Sequence, residues 1–197
     1  MTSQHPLRRR EVVPALLADR GDLLVVSGLG STTYDCAAAG DHPLNFYLWG
    51  AMGGAAMIGL GLALAQPKRR VLVITGDGEM LMGLGSLATI ATRRPANLAI
   101  AVIDNERYGE TGMQATHTAS GIDLAGMARA AGFVTTTTVA RQDQLDGAIR
   151  LLRKEPGPVL AVIKVDAARD PFVLPARDGA LLKHRFRAAL LGDAAAY

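Results

Sequence analysis

A chain of 197 residues, of which 49% are hydrophobic and 20% charged, has the length and composition of one globular domain. The formal net charge is only +3, and the one cysteine, Cys36, excludes an internal disulfide framework or a cysteine-rich metal centre within this chain. The longest apolar stretch, residues 51–65, is interrupted by glycines and shorter than the roughly 20 residues of a membrane span. We therefore expect no nucleic-acid or membrane partner, no secretory signal and a cytoplasmic location.

Short apolar runs alternate with segments of helical periodicity along the chain. The predicted strands are residues 23–26, 71–75, 98–103, 133–139 and 158–165, with a short strand or turn beginning at Asn45. The predicted helices are residues 9–18, 51–65, 82–93, 121–131, 142–153 and a basic C-terminal helix at about 176–190. This alternation predicts a parallel sheet covered by helices on both faces. The expected fold is a single-domain three-layer α/β/α structure over residues 1–197, with a mostly parallel sheet.

The first predicted helix and strand are each flanked by a polar segment. Three arginines, residues 8–10, open the helix and are expected on a solvated face. The strand runs into a loop of glycines and hydroxyl residues, in which Gly28 and Gly30 are candidates for cradling a phosphate. Thr33 stands where a dinucleotide-binding pattern needs a third glycine, so the loop does not carry that signature.

Two neighbouring strands end in groups suited to a metal ion. The strand at residues 71–75 is followed by Gly76, Asp77 and Gly78, and the strand at residues 98–103 is followed by Asp104 and Asn105. Ligands of an open α/β sheet bind outside the carboxyl ends of its strands. An acid, an amide oxygen and backbone carbonyls suit Mg²⁺ that also contacts phosphates. These residues therefore predict Mg²⁺ held against a diphosphate.

A competing pattern lies inside the helix that follows. Residues 83–88 fit the G-x-G-x-x-A form of a nicotinamide-dinucleotide site, with Asp104 further along. The pattern begins eight residues beyond the strand instead of on the turn. A Rossmann oxidoreductase is therefore an alternative hypothesis.

The spacing of Gly-Asp-Gly at residues 76–78 and Asp-Asn at residues 104–105 resembles the cofactor signature of thiamine diphosphate enzymes. The resemblance implies that Asp77 and Asn105 bind Mg²⁺ through their side chains and Arg107 through its backbone carbonyl. It also implies that the cofactor diphosphate lies beside Tyr108.

The cofactor-binding set implied by the resemblance extends on both sides of the aspartate. Gly76, Gly78 and Glu79 are placed at the cofactor. Gly-Ala-Met-Gly at residues 50–53 is a second match to the family, in which the carbonyl of Gly50 accepts from the cofactor's 4'-amino group and Met52 supports its bent shape.

The substrate side of the site is expected in the following loop. Glu110 and Thr111 are expected to face the substrate. His117 and His42 are the histidines nearest to the presumed site, although a lone histidine is commonly structural. Met52, Glu110 and His117 are the candidate catalytic residues. Glu79 and Glu110 add negative charge where a diphosphate and an anionic substrate meet. Either Mg²⁺, Arg107 and cations of a partner offset this charge, or the substrate is less anionic than in the nearest relatives.

Family members also need a glutamate on the cofactor's pyrimidine ring, which a different domain supplies. Because no second α/β domain remains here, the resemblance implies one half of a split enzyme, in a homo- or hetero-oligomer with a pyrimidine-binding α subunit. Residues 45–48, 50–53, 58–64 and 108–114 resemble the β subunit of sulfopyruvate decarboxylase and phosphonopyruvate decarboxylase. The implied reaction is non-oxidative decarboxylation of a small 2-oxo acid that carries a second anionic group.

Other members of the same family leave further alternatives open. An acetolactate synthase-like subunit would form a carbon–carbon bond, and a non-catalytic subunit would bind the cofactor for regulation. Ferredoxin-coupled oxidoreductases use cysteine clusters in the comparable subunit, which the single Cys36 disfavours.

Overall fold

Six parallel strands form the central sheet of the computed structural model, which describes residues 5–192. These strands are β1 (Leu24–Ser27), β2 (Asn45–Tyr47), β3 (Val71–Gly76), β4 (Leu98–Asp104), β7 (Thr135–Val139) and β8 (Val159–Lys164), and β5 (Arg107–Tyr108) and β6 (Gln114–Ala115) form a separate antiparallel ribbon. The order across the sheet is β2-β1-β3-β4-β8-β7. Every pair in it is parallel.

Helices cover the two faces of this sheet. Within the described residues they are α1 (Arg9–Leu17), α2 (Ser31–Ala38), α3 (Ala55–Ala65), α4 (Asp77–Met82), α5 (Ser86–Arg93), α6 (Leu124–Ala131), α7 (Leu145–Lys154) and α8 (Gly179–Leu191). One face packs against α1, α2 and α7, and the other against α3, α5 and α6. The predicted three-layer α/β/α fold with a parallel sheet is confirmed.

The strands contribute alternate side chains to the two apolar layers, as strand geometry requires. In β3, Leu72 and Ile74 join the layer under α1 and α7, whereas Val71 and Val73 join the layer under α3. All four are fully buried. The continuous apolar runs of the sequence therefore correspond to strands buried on both faces.

The helices differ from the predictions in three places. Helix α2 was expected to be loop, because its sequence, STTYDCAA, begins with hydroxyl residues that favour turns. Helix α3 begins at Ala55 instead of residue 51, since Ala51 (φ 60°) and Gly53 (φ 88°) adopt left-handed backbone conformations incompatible with a helix. The helix predicted at residues 82–93 is two helices, α4 and α5, interrupted at residues 83–85.

The remaining differences are small. A 3-10 turn, Gln142–Gln144, precedes α7, and β7 starts at Thr135 instead of residue 133. Helix α6 begins after Asp123, as expected, and the Asp123 side chain accepts a hydrogen bond from the N–H of Gly126 at 2.9 Å. The C-terminal basic helix is α8, capped by Asp178. Among residues 5–192, no helix has both the length and the apolar character to cross a membrane.

Candidate active site

The carboxyl ends of β1, β3 and β4 lie side by side at one edge of the sheet. From β1 the chain turns outward through α2 to β2, whereas from β3 it turns the other way through α4 and α5 to β4. Such a reversal opens a crevice between the two strands, and this is where open α/β sheets bind ligands. A cleft with an empty volume of about 630 Å³ lies there.

Most of the residues predicted for cofactor binding line this cleft. They come from the three strand ends and from the turn before α3. The walls are formed by Arg9, residues 29–32, Met52, residues 76–79, Ile103, Asn105 and residues 107–111. Gly30, Met52, Gly76, Asp77, Gly78, Glu79, Asn105, Arg107, Tyr108 and Glu110 are thus brought together.

Asp77 begins α4 at the base of the cleft and is only 2% exposed. Its Oδ2 atom accepts hydrogen bonds from the hydroxyls of Thr116 and Thr118. The Thr118 hydroxyl also lies 2.8 Å from Oδ1 of Asp104, and its single proton can serve only one carboxylate at a time. Burial and the neighbouring Asp104 raise the pKa of Asp77 to about 6. A cation bound at Asp77 would offset this unfavourable charge.

The turn after β4 presents the other two predicted metal ligands. Asn105 Oδ1 accepts a hydrogen bond from the backbone N–H of Arg107 at 3.0 Å, and Glu106 between them has a left-handed φ of 62°. In the part of the chain that the structure describes, no group of three or more His, Cys, Asp or Glu side chains could hold a metal. A cation here would depend on Asp77, amide and carbonyl oxygens, and the oxygens of its ligand, which is the donor set Mg²⁺ prefers.

Two glycines create room for neighbouring side chains. A Cβ atom on Gly78 would lie 2.4 Å from the ring of Tyr108, so the ring can lie against the backbone of α4 only because residue 78 is glycine. A Cβ atom on Gly28 would lie 1.9 Å from Oε2 of Glu79. Gly28 itself lies behind the cleft, and its N–H donates to the carbonyl of Ile74 at 2.8 Å. The Gly28 amide is thus already hydrogen-bonded to the neighbouring strand, and its expected role in cradling a phosphate stays a prediction.

Glu79 is a buried acid in the wall of the cleft, with an exposure of only 4%. Its Oε1 atom accepts a long hydrogen bond, 3.4 Å, from the N–H of Ala55 at the start of α3. Burial raises the pKa of Glu79. Glu79 therefore joins the Gly-Asp-Gly segment to the first turn of α3.

The turn before α3 approaches α4 through two glycines. Met52 lines the cleft with 40% of its surface exposed, and Gly53 packs directly on the backbone of Gly83. A Cβ atom on Gly83 would lie 2.3 Å from the Gly53 carbonyl oxygen. Gly83 thus allows close packing in the interruption between α4 and α5. The G-x-G-x-x-A pattern that begins at Gly83 therefore does not lie on a strand-to-helix turn, where a dinucleotide site requires it. Gly50 lies in the exposed turn and does not line the cleft.

The two predicted catalytic residues beyond Met52 are placed differently. Glu110 lines the cleft above Gly30, and its Oε2 atom accepts a hydrogen bond from the hydroxyl of Tyr34 at 3.3 Å. His117 starts a 3-10 turn, is exposed and does not line the cleft. His42 does not line the cleft, and its Nδ1 atom accepts a hydrogen bond from the backbone N–H of Leu44 at 3.1 Å.

Arg9 is a cleft residue that the sequence did not identify. It was expected on a solvated face, but it is buried and forms ion pairs with Asp35 and, at 3.3 Å, with Asp170. Arg9 also lines a second, adjoining cleft of about 780 Å³, whose other walls include residues 167–170 and Phe172. The ion-pair partners lie 26 and 161 positions away in the chain, so no local pattern indicated them.

Comparison with known proteins decides the family of this fold and cleft. The model of the thiamine pyrophosphate enzyme C-terminal TPP binding domain matches residues 28–163. The chain belongs to this family. All residues of the cleft except Arg9 fall within the matched thiamine pyrophosphate-binding region. Thiamine pyrophosphate and thiamine diphosphate are the same compound, so the resemblance to thiamine diphosphate enzymes is confirmed.

The relatives differ in how much of their own length they share with this thiamine pyrophosphate-binding chain. Sulfopyruvate decarboxylase subunit beta from Methanothermobacter thermautotrophicus is 44% identical over 127 residues, which cover 64% of this chain and 68% of the relative. Phosphonopyruvate decarboxylase from Streptomyces viridochromogenes is 38% identical over 172 residues, which cover 85% of this chain but 42% of that protein. Benzoylformate decarboxylase from Polynucleobacter necessarius has the same fold, with a TM-score of 0.74 at 20% identity over 85% of this chain and 34% of its own.

Proposed function

We propose that this chain is the diphosphate-binding subunit of a thiamine diphosphate- and Mg²⁺-dependent decarboxylase that acts on a 2-oxo acid. The observation that carries the proposal is the convergence of Asp77, Asn105 and Arg107 on one cleft at the ends of β3 and β4. The similarity to sulfopyruvate and phosphonopyruvate decarboxylases supports a substrate with a second anionic group.

The residues of the cleft fit the cofactor and its metal. Asp77 would bind Mg²⁺ through its carboxylate, Asn105 through its side-chain oxygen and Arg107 through its carbonyl oxygen. Tyr108, lying against Gly78, would flank the diphosphate, and Met52 would support the cofactor rings from the opposite wall. When bound, thiamine diphosphate supplies a nucleophile for the 2-oxo carbon and an electron sink for the carbon–carbon bond that breaks.

The charge of the cleft limits how an anionic substrate can bind. Glu79 and Glu110 are both in the cleft wall. Arg107, which follows the end of β4, is a cation in the same wall. The Arg107 guanidinium donates to the carbonyl of Glu106 at 3.0 Å, so it lies on the turn of the proposed metal site. In our proposal Mg²⁺ and Arg107 offset the diphosphate, and Glu110, held by Tyr34, faces the reacting end of the substrate.

A partner chain completes the proposed site. Relatives named subunit beta belong to enzymes with at least one other subunit, and we propose that the partner here is a pyrimidine-binding chain that supplies the activating glutamate. The exposed apolar side chains at the mouth of the two clefts support this, since Met52 is 40% and Phe172 is 69% exposed. His117, outside the cleft, has no role in this proposal.

The test is reconstitution with a candidate pyrimidine-binding chain. CO₂ release from sulfopyruvate, phosphonopyruvate and pyruvate is measured with and without thiamine diphosphate and Mg²⁺, for wild type, Asp77→Ala and the surface control Asp146→Ala. We expect cofactor-dependent release that Asp77→Ala abolishes and Asp146→Ala preserves. Activity that survives Asp77→Ala would favour a non-catalytic subunit, acetolactate formed from pyruvate would favour a carboligase, and no activity with any partner would refute the proposal.

A further inference from the structure

Lys164, at the carboxyl end of β8, lies directly behind the turn that carries two of the proposed metal ligands. Strand β8 pairs with β4 so that Lys164 is opposite Asp104. The Lys164 ammonium lies 2.8 Å from Asp104 Oδ2 and donates a hydrogen bond of 2.8 Å to Glu106 Oε1. One cation therefore contacts the acidic residues on both sides of Asn105.

This contact is largely enclosed. The Lys164 side chain is 17% exposed, Asp104 is buried, and the side chain of Glu106 also contacts Nε2 of His5 at 3.2 Å. Although burial lowers the pKa of Lys164, its two carboxylate partners raise it above the usual range, so the side chain is cationic at neutral pH. An ion pair in such surroundings is screened less by water and salt than one on the surface.

The two acidic residues that Lys164 contacts are also hydrogen-bonded within the turn, Asp104 through its carboxylate and Glu106 through its backbone carbonyl. Asp104 Oδ1 accepts the N–H of Glu106 at 3.1 Å, and the carbonyl of Glu106 accepts the N–H of Thr116 at 3.0 Å. Glu106 has a φ of 62°, a conformation that a side-chain-bearing residue adopts only at a cost. A contact that holds Glu106 in this conformation also determines where Asn105 and the carbonyl of Arg107 lie.

We propose that Lys164 is a positioning residue, which clamps Asp104 and Glu106 and so holds Asn105 and the carbonyl of Arg107 in place for the metal. The same contact supplies Asp104 with a cationic partner, and Asp77 is the carboxylate that faces the metal. The clamp is a property of the metal-free chain, and its effect on the cofactor depends on the proposed function.

The test uses the full-length chain with Lys164→Met, Lys164→Arg, Glu106→Gln and, as the control, Lys68→Met, an exposed lysine between α3 and β3. Amide hydrogen exchange is measured without ligands. Lys164→Met is expected to speed exchange at least tenfold at the N–H groups of Glu106, Arg107 and Thr116, but not in β3. Glu106→Gln should act in the same direction and less strongly, while Lys164→Arg and Lys68→Met stay close to wild type.

The second measurement is Mn²⁺ binding in the presence of thiamine diphosphate, made on each variant mixed with the proposed partner chain and followed by electron paramagnetic resonance. Lys164→Met is expected to weaken Mn²⁺ binding at least tenfold, with recovery in Lys164→Arg. Unchanged exchange in the turn, or exchange that rises equally in β3, would overturn the clamp. If the wild type binds no Mn²⁺ while Lys164→Met still loosens the turn alone, the clamp stands and the proposed function fails. If Lys164→Met does not fold, Glu106→Gln decides by the same criteria.

Discussion

Replacing Asp77 by asparagine is expected to stabilise the metal-free protein while it abolishes metal binding. Asp77 is buried beside Asp104, and the two carboxylates compete for the Thr118 hydroxyl. Asparagine has nearly the same shape and keeps one acceptor oxygen for Thr116, but it carries no charge. The substitution therefore removes a buried like-charge interaction from a protein that lacks the cation to offset it.

The magnitude follows from the pKa of Asp77, which rises from 3.8 to about 6 on folding. One pKa unit corresponds to about 1.4 kcal/mol, so ionised Asp77 costs the fold about 3 kcal/mol above pH 6. Because the raised pKa favours the protonated form in the folded state, this cost disappears as pH falls through 6 towards 3.8. At roughly 2–4 °C per kcal/mol for a chain of this size, the variant should melt about 6–12 °C higher at pH 7.5.

The assay is thermal unfolding in EDTA, followed by circular dichroism at pH 7.5 and pH 4.5. Asp77→Asn should exceed wild type at pH 7.5 and approach it at pH 4.5, and added Mg²⁺ with thiamine diphosphate should stabilise only the wild type. The control Asp146→Asn, on the exposed surface of α7, should change stability by less than about 0.5 kcal/mol. An Asp77→Asn variant no more stable than wild type at pH 7.5, or equally displaced at both pH values, would refute the reasoning.

Three glycine substitutions test local packing: Gly78→Ala at the cleft, Gly59→Ala between α3 and the sheet, and Gly61→Ala as the control for Gly59→Ala. Gly78→Ala places a Cβ atom 2.4 Å from the Tyr108 ring and should weaken thiamine diphosphate binding about tenfold by displacing the ring, as measured by calorimetric titration; unchanged affinity would contradict the placement of Tyr108. Gly59→Ala places a Cβ atom 2.2 Å from a methyl group of Val73 and should destabilise the fold by about 1–3 kcal/mol in urea unfolding. Gly61 lies on the same helix as Gly59, but a Cβ atom there would meet nothing within 4 Å, so Gly61→Ala should stabilise the fold by up to about 1 kcal/mol. If Gly61→Ala destabilised the fold, the effect of Gly59→Ala could not be assigned to packing.

The sequence predicted the parts of the site that depend on strand ends. The apolar runs of β3 and β4 are continuous, and each ends in a polar residue, so the adjacency of Asp77 and Asn105 followed from parallel pairing. The register places Gly76 opposite Ile103, which brings the next residues of both strands to the same edge. The roles inferred for Gly50, His117 and the pyrimidine-binding partner, and the cytoplasmic location, stay predictions.

The groups that tune the site were not predictable in the same way. Thr116 and Thr118 contact Asp77 from 39 and 41 positions away, and Lys164 contacts Asp104 through strand pairing. Such contacts depend on the path of the β5–β6 ribbon and the order of β4 and β8, which no local periodicity records. Arg9 was misassigned for the same reason, since a charged residue at a helix start is normally solvated.

The contact between Gly53 and Gly83 determines which positions near this cleft can be substituted and which cannot. Met52 projects from a turn whose backbone rests on the interruption between α4 and α5, so its side chain can be exchanged without moving the support beneath it. Any side chain at position 53 or 83 would push the two segments apart. Position 52 is therefore suited to a substitution library that alters the shape of the cleft. The two glycines must be kept, because replacing either of them would displace both the turn that carries position 52 and the helix α4 that carries Asp77.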